Sequence, residues 1–256
     1  MKNIIPIDSP DLKAAIDKYY PFLMEIRKRI IFTLAIFALS TLVGFAFYEK
    51  IIKFLISGLS LKGINIVFTS PFQFINLAIA CGATVGLVIV FPLIIYQLVS
   101  FLRPALKDKE YKMLVGFFPF SLVLFLTGFS FGAVIMKWQI QIFLTRSVSL
   151  GIGNILDISH LLATVLLTSV FMGVGFQFPI ILLLLMRIGI IKHNKLSKQR
   201  SWIYLGSFIF ALLLPPDSIL ADILLSLPLI ILFELTLILN SILERRRTGQ
   251  QVLEGA

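Results

Sequence analysis

The chain has 256 residues, of which 58% are hydrophobic and 14% charged, with a formal net charge of +10 and a mean hydropathy of +0.98. A soluble domain carries roughly 25% charged and about 45–50% apolar residues. Here the apolar surplus lies in long blocks, which excludes a soluble globular core. The basic surplus invites a nucleic-acid reading, which the placement of the charges removes.

The first 29 residues are polar and mixed in charge, with Asp8, Asp11, Asp17 and Glu25. They lack the apolar core and small-residue cleavage site of a secretory signal, and they are too acidic for a transit peptide. Insertion by the chain's own first span is expected, in a bacterium or inside an organelle. Apolar blocks then follow at 30–47, 74–99, 113–136, 161–186, 201–214 and 219–239. About 20 apolar residues cross the hydrocarbon as a helix. The expectation is an all-α integral membrane protein, one membrane domain over residues 1–256, with six transmembrane helices. The last two are short. At 1.5 Å per residue, 201–214 reaches roughly 21 Å against a core of about 30 Å, so it needs bilayer thinning or shielding by neighbours. Between spans, 48–70 reads as an amphipathic, loop-like stretch and 137–157 as a moderately polar loop.

An even number of spans puts both termini on one side. Of the 23 Lys and Arg, all but Lys50, Lys53, Lys62, Lys137 and Arg146 fall in the N-terminus, the connections 103–112 and 187–200, or the C-terminus. This bias places both termini in the cytoplasm, or in the stroma of a plastid. The basic surplus is therefore a topology signal and an anionic-lipid contact, with no nucleic-acid groove.

Chemistry that would mark an enzyme is missing. His160 falls at the outer edge of the fourth span and His193 in an inner loop, so they cannot share a metal. H-E-x-x-H, G-x-S-x-G and P-loop patterns are all lacking, and no cofactor is implied. Ser121 and Ser169 read as bonding to the backbone one turn back, and Cys81 as a small buried hydrophobe. Pro92, Pro119, Pro179 and Pro228 lie inside spans, where each removes a backbone donor and is expected to kink its helix. Gly128 and Gly132 form a G-x-x-x-G pattern that permits close helix approach.

Polar groups at membrane depth are costly and face protein or a wet cavity. Gln97 falls near the inner end of the second span. Gln177 lies mid-span in the fourth, suited to a partner helix or to an internal helix–helix hydrogen bond. Asp222 and Glu234 flank the sixth span, and Asp217 caps its outer end. Asp222 also reads as a solvated first-turn residue favoured by the helix dipole.

Leu23-Met24-Glu25-Ile26-Arg27-Lys28-Arg29 resembles the H-L-x-E-L-R-x-R segment that opens TatC proteins. Phe91-Pro92-Leu93-Ile94-Ile95-Tyr96-Gln97, then Phe101-Leu102-Arg103-Pro104-Ala105-Leu106 and Glu110, is similar to that family's second span and first inner loop. Gly175 to Pro179 resembles its G-F-x-x-P, Pro215-Pro216-Asp217 its T-P-P-D, and Leu227-Pro228 with Phe233-Glu234 the P…L-Y-E of its last span. The match holds over about residues 20–240 in order and spacing. Phe22 stands at the family's His, Leu214 at the Thr of T-P-P-D, and Ala221 where Gln is frequent. Gln177 stands where many members have Glu, keeping hydrogen bonding but not charge.

The resemblance implies a curved, cup-like bundle that acts as the receptor of the twin-arginine translocase. Such a protein is not an enzyme. It recognises the twin-arginine signal peptides of folded cargo and works in an oligomeric complex with TatA- and TatB-type single-span partners, driven by the proton-motive force. The membrane is the plastid thylakoid or the bacterial inner membrane. Guanidinium groups pair best with carboxylates, so the resemblance assigns Glu25, Arg27, Phe101, Pro104 and Glu110 to signal-peptide binding. Read without it, Glu25 pairs with Arg29 at i,i+4 and Glu110 with neighbouring lysines. Gln97, Gln177, Asp217 and Asp222 are assigned to partner helices. The alternatives are a small-solute or proton-coupled secondary transporter, which predicts two related halves with broken helices, and an intramembrane enzyme. Neither an internal repeat nor a nucleophile–base set supports them.

Overall fold

A computed structural model describes residues 10–59, 65–67, 70–103, 108–150, 155–187, 191, 193–215 and 218–254. Pro104 and Asp217 lie outside these residues, as does the side chain of Glu110. The order is α1 (Pro10–Ala46), α2 (Tyr48–Leu59), β1 (Asn65–Val67), α3 (Pro71–Leu102), α4 (Asp108–Ser149), β2 (Ile155–Asp157), α5 (Ile158–Gly175), α6 (Phe178–Arg187), α7 (His193–Lys198), α8 (Arg200–Leu212) and α9 (Ile219–Glu254).

Among the described residues, five segments are long and apolar enough to cross a membrane: Leu23–Ala46, Pro71–Phe101, Phe118–Ser147, Ile158–Met186 and Ile219–Ser241. The sixth expected span is α8. Its 13 residues reach only about 20 Å, and it packs along α9.

Two connections are more ordered than expected. Helix α4 continues to Ser149, so most of the stretch expected as a loop at 137–157 is helix. Ile140 and Ser147 are buried along that extension, and Leu144 packs against the same core, the spacing of an inward helical stripe. Likewise α2 turns Ile51, Ile52, Leu55, Ile56 and Leu59 onto a cluster with Leu77, Cys81, Met136 and Leu162. Cys81 is buried and free, as expected of a small hydrophobe.

The described residues are nearly all helical but not wholly so. β1 and β2 pair in parallel, Ile66 opposite Leu156. A cap surrounds this pair. Ser70 and Gln73 form a capping box at α3. Asp157 caps α5 through the amides of Ser159 (2.9 Å) and His160 (3.2 Å). Gln73 donates to Asp157 (2.6 Å), and the Ser159 hydroxyl donates to the Gln73 carbonyl (2.9 Å). The Lys137 ammonium donates to the Gly58 carbonyl (2.8 Å), a cation on the C-terminal end of α2. This cap ties the two outer connections together.

Glycines set the close approaches. A Cβ on Gly132 would come within 2.8 Å of the Ser169 Cα, and one on Gly128 within 2.6 Å of the Met172 carbonyl. The G-x-x-x-G pattern thus lets α4 lie against α5. Helix α1 packs chiefly on α3, where a Cβ on Gly82 would stand 2.7 Å from the Thr41 carbonyl. Pro92, Pro119 and Pro228 remain within unbroken helices. Before Pro179 the helix breaks at Phe176 and Gln177, where Gln177 N–H turns to the Val174 carbonyl (3.0 Å). Proline has no N–H for the next rung.

Candidate functional site

Helix α1 reaches the positive, inner side with Glu25, Arg27, Lys28 and Arg29 within little more than one turn. Glu25 and Arg29 are one turn apart and face α3. Arg29 Nη2 and Nε donate to the same oxygen, Glu25 Oε1, at 2.5 and 3.1 Å. Arg29 Nη1 donates to the Gln97 carbonyl (2.9 Å) and Nη2 reaches Ser100 Oγ (3.4 Å). The Thr33 hydroxyl lies 2.7 Å from the Arg29 carbonyl and 2.8 Å from Gln97 Oε1. Arg29 therefore bridges α1 and α3 and at the same time neutralises Glu25. The pair is half-open to solvent, with side chains 46% (Glu25) and 25% (Arg29) exposed, a setting in which an ion pair contributes little net stability.

Two hollows flank this bridge. One, about 600 Å³, has Glu25, Lys28, Arg29 and Gln97 on its wall. The other, about 450 Å³, is an apolar groove between α1 and α3 lined by Ile30, Leu34, Phe37, Val90, Ile94 and Phe101, again with Arg29 and Gln97 at its edge. The structure so brings Glu25, Phe101 and Gln97 around one arginine. Arg27 is exposed, and two residues from Glu25 it lies about 200° round the helix.

Gln97, expected with the partner-helix residues, faces α1. Gln177 faces α4. It is 2% exposed; its Oε1 accepts from the Ser121 hydroxyl (2.6 Å), and its Nε2 donates to the carbonyls of Ser121 (3.1 Å) and Gly173 (3.4 Å). Of its two readings, the internal helix–helix bond is the one present. Ser169 bonds back to Val165 as expected (2.7 Å). Ser121 does not, because the amide across the interface is the better acceptor within reach. Asp222 is 5% exposed, so it is a buried residue in the first turn of α9, not a solvated one. Glu234 joins α9 to α8: the Tyr204 hydroxyl donates to its Oε1, and Arg200 Nη1 stands 3.5 Å from its Oε2.

Sequence reasoning weighed Arg29 only as a rival for Glu25 and missed Thr33 and Ser100. The signal available was the i,i+4 chain of Glu25, Arg29 and Thr33 along one face of α1. Among the described residues no cluster of His, Cys, Asp and Glu could hold a metal.

These features define a multi-pass helical membrane protein with a charged notch at its inner face. The family profile described as Sec-independent protein translocase protein (TatC) matches residues 21–228. The chain is 30% identical over 229 residues to the Sec-independent protein translocase protein TatCy of Bacillus subtilis (strain 168), covering 87% of this chain and 88% of that protein. It is 32% identical over 232 residues to the Sec-independent protein translocase protein TatC of Listeria innocua serovar 6a, covering 88% and 91%. Its structure is similar to the crystal structure of the twin arginine translocase receptor TatC in DDM, with a TM-score of 0.76, 25% identity, and 85% of this chain and 98% of that one covered. The chain belongs to the TatC family. The expected six-span, cup-like architecture is consistent with that likeness.

Proposed function

We propose that this chain is the receptor subunit of a twin-arginine protein translocase, a binding component and not an enzyme, built as one membrane domain over residues 1–256. It binds twin-arginine signal peptides at its inner face. With TatA- and TatB-type single-span partners it moves folded proteins across a bacterial inner membrane or a thylakoid, using the proton-motive force. The observation that carries this reading is Glu25: a half-exposed carboxylate on the inner side that already accepts a guanidinium, beside a hollow large enough for a further side chain. A peptide's arginines pair there and at Glu110, and Arg27 and Pro104 take part in the same binding. The apolar stretch that follows the arginines in a signal peptide lies in the groove that Phe101 lines.

Partner helices dock at the outer ends of α8 and α9 through Asp217, and through Asp222 only where the buried first turn of α9 opens to them. Gln177 and Gln97 join such a contact only by releasing the internal bonds described above.

The test is photocrosslinking from positions beside Glu25 and Glu110 to a twin-arginine signal peptide, with a Lys-Lys peptide as control. Crosslinks lost with Lys-Lys, and lost in Glu25→Ala and Glu110→Ala proteins that still insert, are expected. Equal crosslinks from both peptides overturn the receptor reading and reopen that of a solute transporter.

A further inference from the structure

Glu25 does not wait empty for a ligand. Both hydrogen bonds from Arg29 fall on its Oε1, which leaves Oε2 outside that pairing. A carboxylate offers a planar guanidinium a two-oxygen fork, and half of that fork is occupied from within. We propose that Arg29 is a specificity-determining residue: a built-in competitor that holds Glu25 until a peptide guanidinium replaces it. This rests on the receptor reading of Glu25.

The exchange is symmetrical for arginine and unfavourable for lysine. A peptide arginine that takes both oxygens of Glu25 restores the charge-assisted bonds that Arg29 gives up. Arg29 then stays engaged, because its Nη1 already donates to the Gln97 carbonyl and its Nη2 already reaches Ser100 Oγ. The displaced side chain therefore has a seat on α3 and is not left as a bare cation. A lysine ammonium is a compact point charge without the fork. It can add a single bond at Oε2 of a carboxylate whose charge is already compensated, or displace Arg29 and recover fewer bonds than it breaks. Arg29 thus weakens binding of all cations and weakens it more for lysine. Lys28, on the wall of the same hollow, adds repulsion to both kinds of peptide alike and so leaves their ratio unaltered.

The full-length chain in lipid nanodiscs is titrated with labelled synthetic signal peptides carrying Arg-Arg or Lys-Lys, by fluorescence anisotropy. The readout is the ratio of the two dissociation constants. Net contributions of exposed ion pairs correspond to factors of about 1.5 to 5. Arg29→Gln is expected to tighten Lys-Lys binding more than Arg-Arg binding, lowering the ratio by about that factor. Arg29→Lys keeps a cation on the α3 seat but not the fork, and gives an intermediate ratio; it carries the test if the glutamine variant unfolds. An unchanged or increased ratio in the variant that folds overturns the proposal, since a merely structural Arg29 would weaken both peptides together. Glu25→Gln separates the two levels. If it abolishes the Arg-Arg preference, the receptor reading stands whatever Arg29 does. If it leaves binding of both peptides intact, the receptor reading fails and this proposal falls with it.

Discussion

Ser121 and Gln177 are bonded twice across the interface of α4 with the break between α5 and α6, hydroxyl to amide oxygen and amide nitrogen to carbonyl. Both side chains are buried, and the amide sits where the helix ladder is already interrupted. Ser121→Ala leaves the Gln177 oxygen without its donor in an apolar setting. Interhelical hydrogen bonds in membrane proteins contribute about 0.6 kcal/mol, and up to about 1.7. A loss in the upper part of that range is expected from unfolding in mixed micelles. A Ser121→Ala, Gln177→Leu double variant should be closer to wild type than the sum of its singles. Full additivity would show that the pair is not coupled.

Gly132 and Gly206 should respond oppositely to the same change. A Cβ at Gly132 meets the Ser169 Cα at 2.8 Å, whereas one at Gly206 meets nothing within 4 Å. Gly132→Ala forces α4 from α5 and is expected to cost about 1–3 kcal/mol, as overpacking does. Gly206→Ala should be neutral, or stabilising by up to about 1 kcal/mol through helix propensity. Thermal unfolding of the two proteins in the same detergent checks both. Equal effects would mean that the close approach is not what selects glycine at Gly132.

Five of the six expected spans were legible in the sequence as long apolar segments, because block length acts locally and additively. The outer connections were not. Lys137 and Arg146 made 137–157 look polar, yet Ile140 and Ser147 bury one face of an extended α4, a period that shows only once a partner surface exists to receive it. The strands β1 and β2 escaped for a related reason: three residues each, they are defined by their pairing and by little in their own composition. At the inner face the charged residues were legible, and their pairing was left between two readings. That Glu25 is held by an arginine anchored on Gln97 and Ser100 depends on the crossing of α1 over α3, which no local pattern encodes.

Asp157 joins the outer cap by two kinds of bond, capping α5 through one oxygen and accepting from Gln73 through the other. Asp157→Ala removes both and is expected to cost about 1–2 kcal/mol from the cap alone. Asp157→Asn retains a capping oxygen and should recover most of it. Hydrogen exchange of the α5 first turn reports the difference. If asparagine is as damaging as alanine, the charge and not the cap is what matters there.

The α8 helix is too short to cross the bilayer unaided, so its inner end has to be held by something other than lipid. Tyr204 and Arg200 supply the hold, meeting the two oxygens of Glu234 on α9, but they do not contribute equally. Arg200 is about half exposed at 47% and its 3.5 Å contact with Glu234 falls in the class of pairs that contribute roughly 0.2–1 kcal/mol. The Tyr204 hydroxyl donates to a carboxylate oxygen in a partly buried setting, a stronger kind of contact than an exposed ion pair, and its ring meets Phe233 edge-on at 6.1 Å between centroids. Tyr204→Phe keeps the ring contact and removes only the hydroxyl. It should therefore destabilise more than Arg200→Gln, and it should raise the labelling rate of a cysteine placed on the α8 face that turns towards α9. Unfolding in mixed micelles gives the first quantity and maleimide labelling the second. Arg200→Gln proving the more damaging on both would assign the hold to the ion pair, and the short helix would then owe its position to an inner-surface charge that salt can screen.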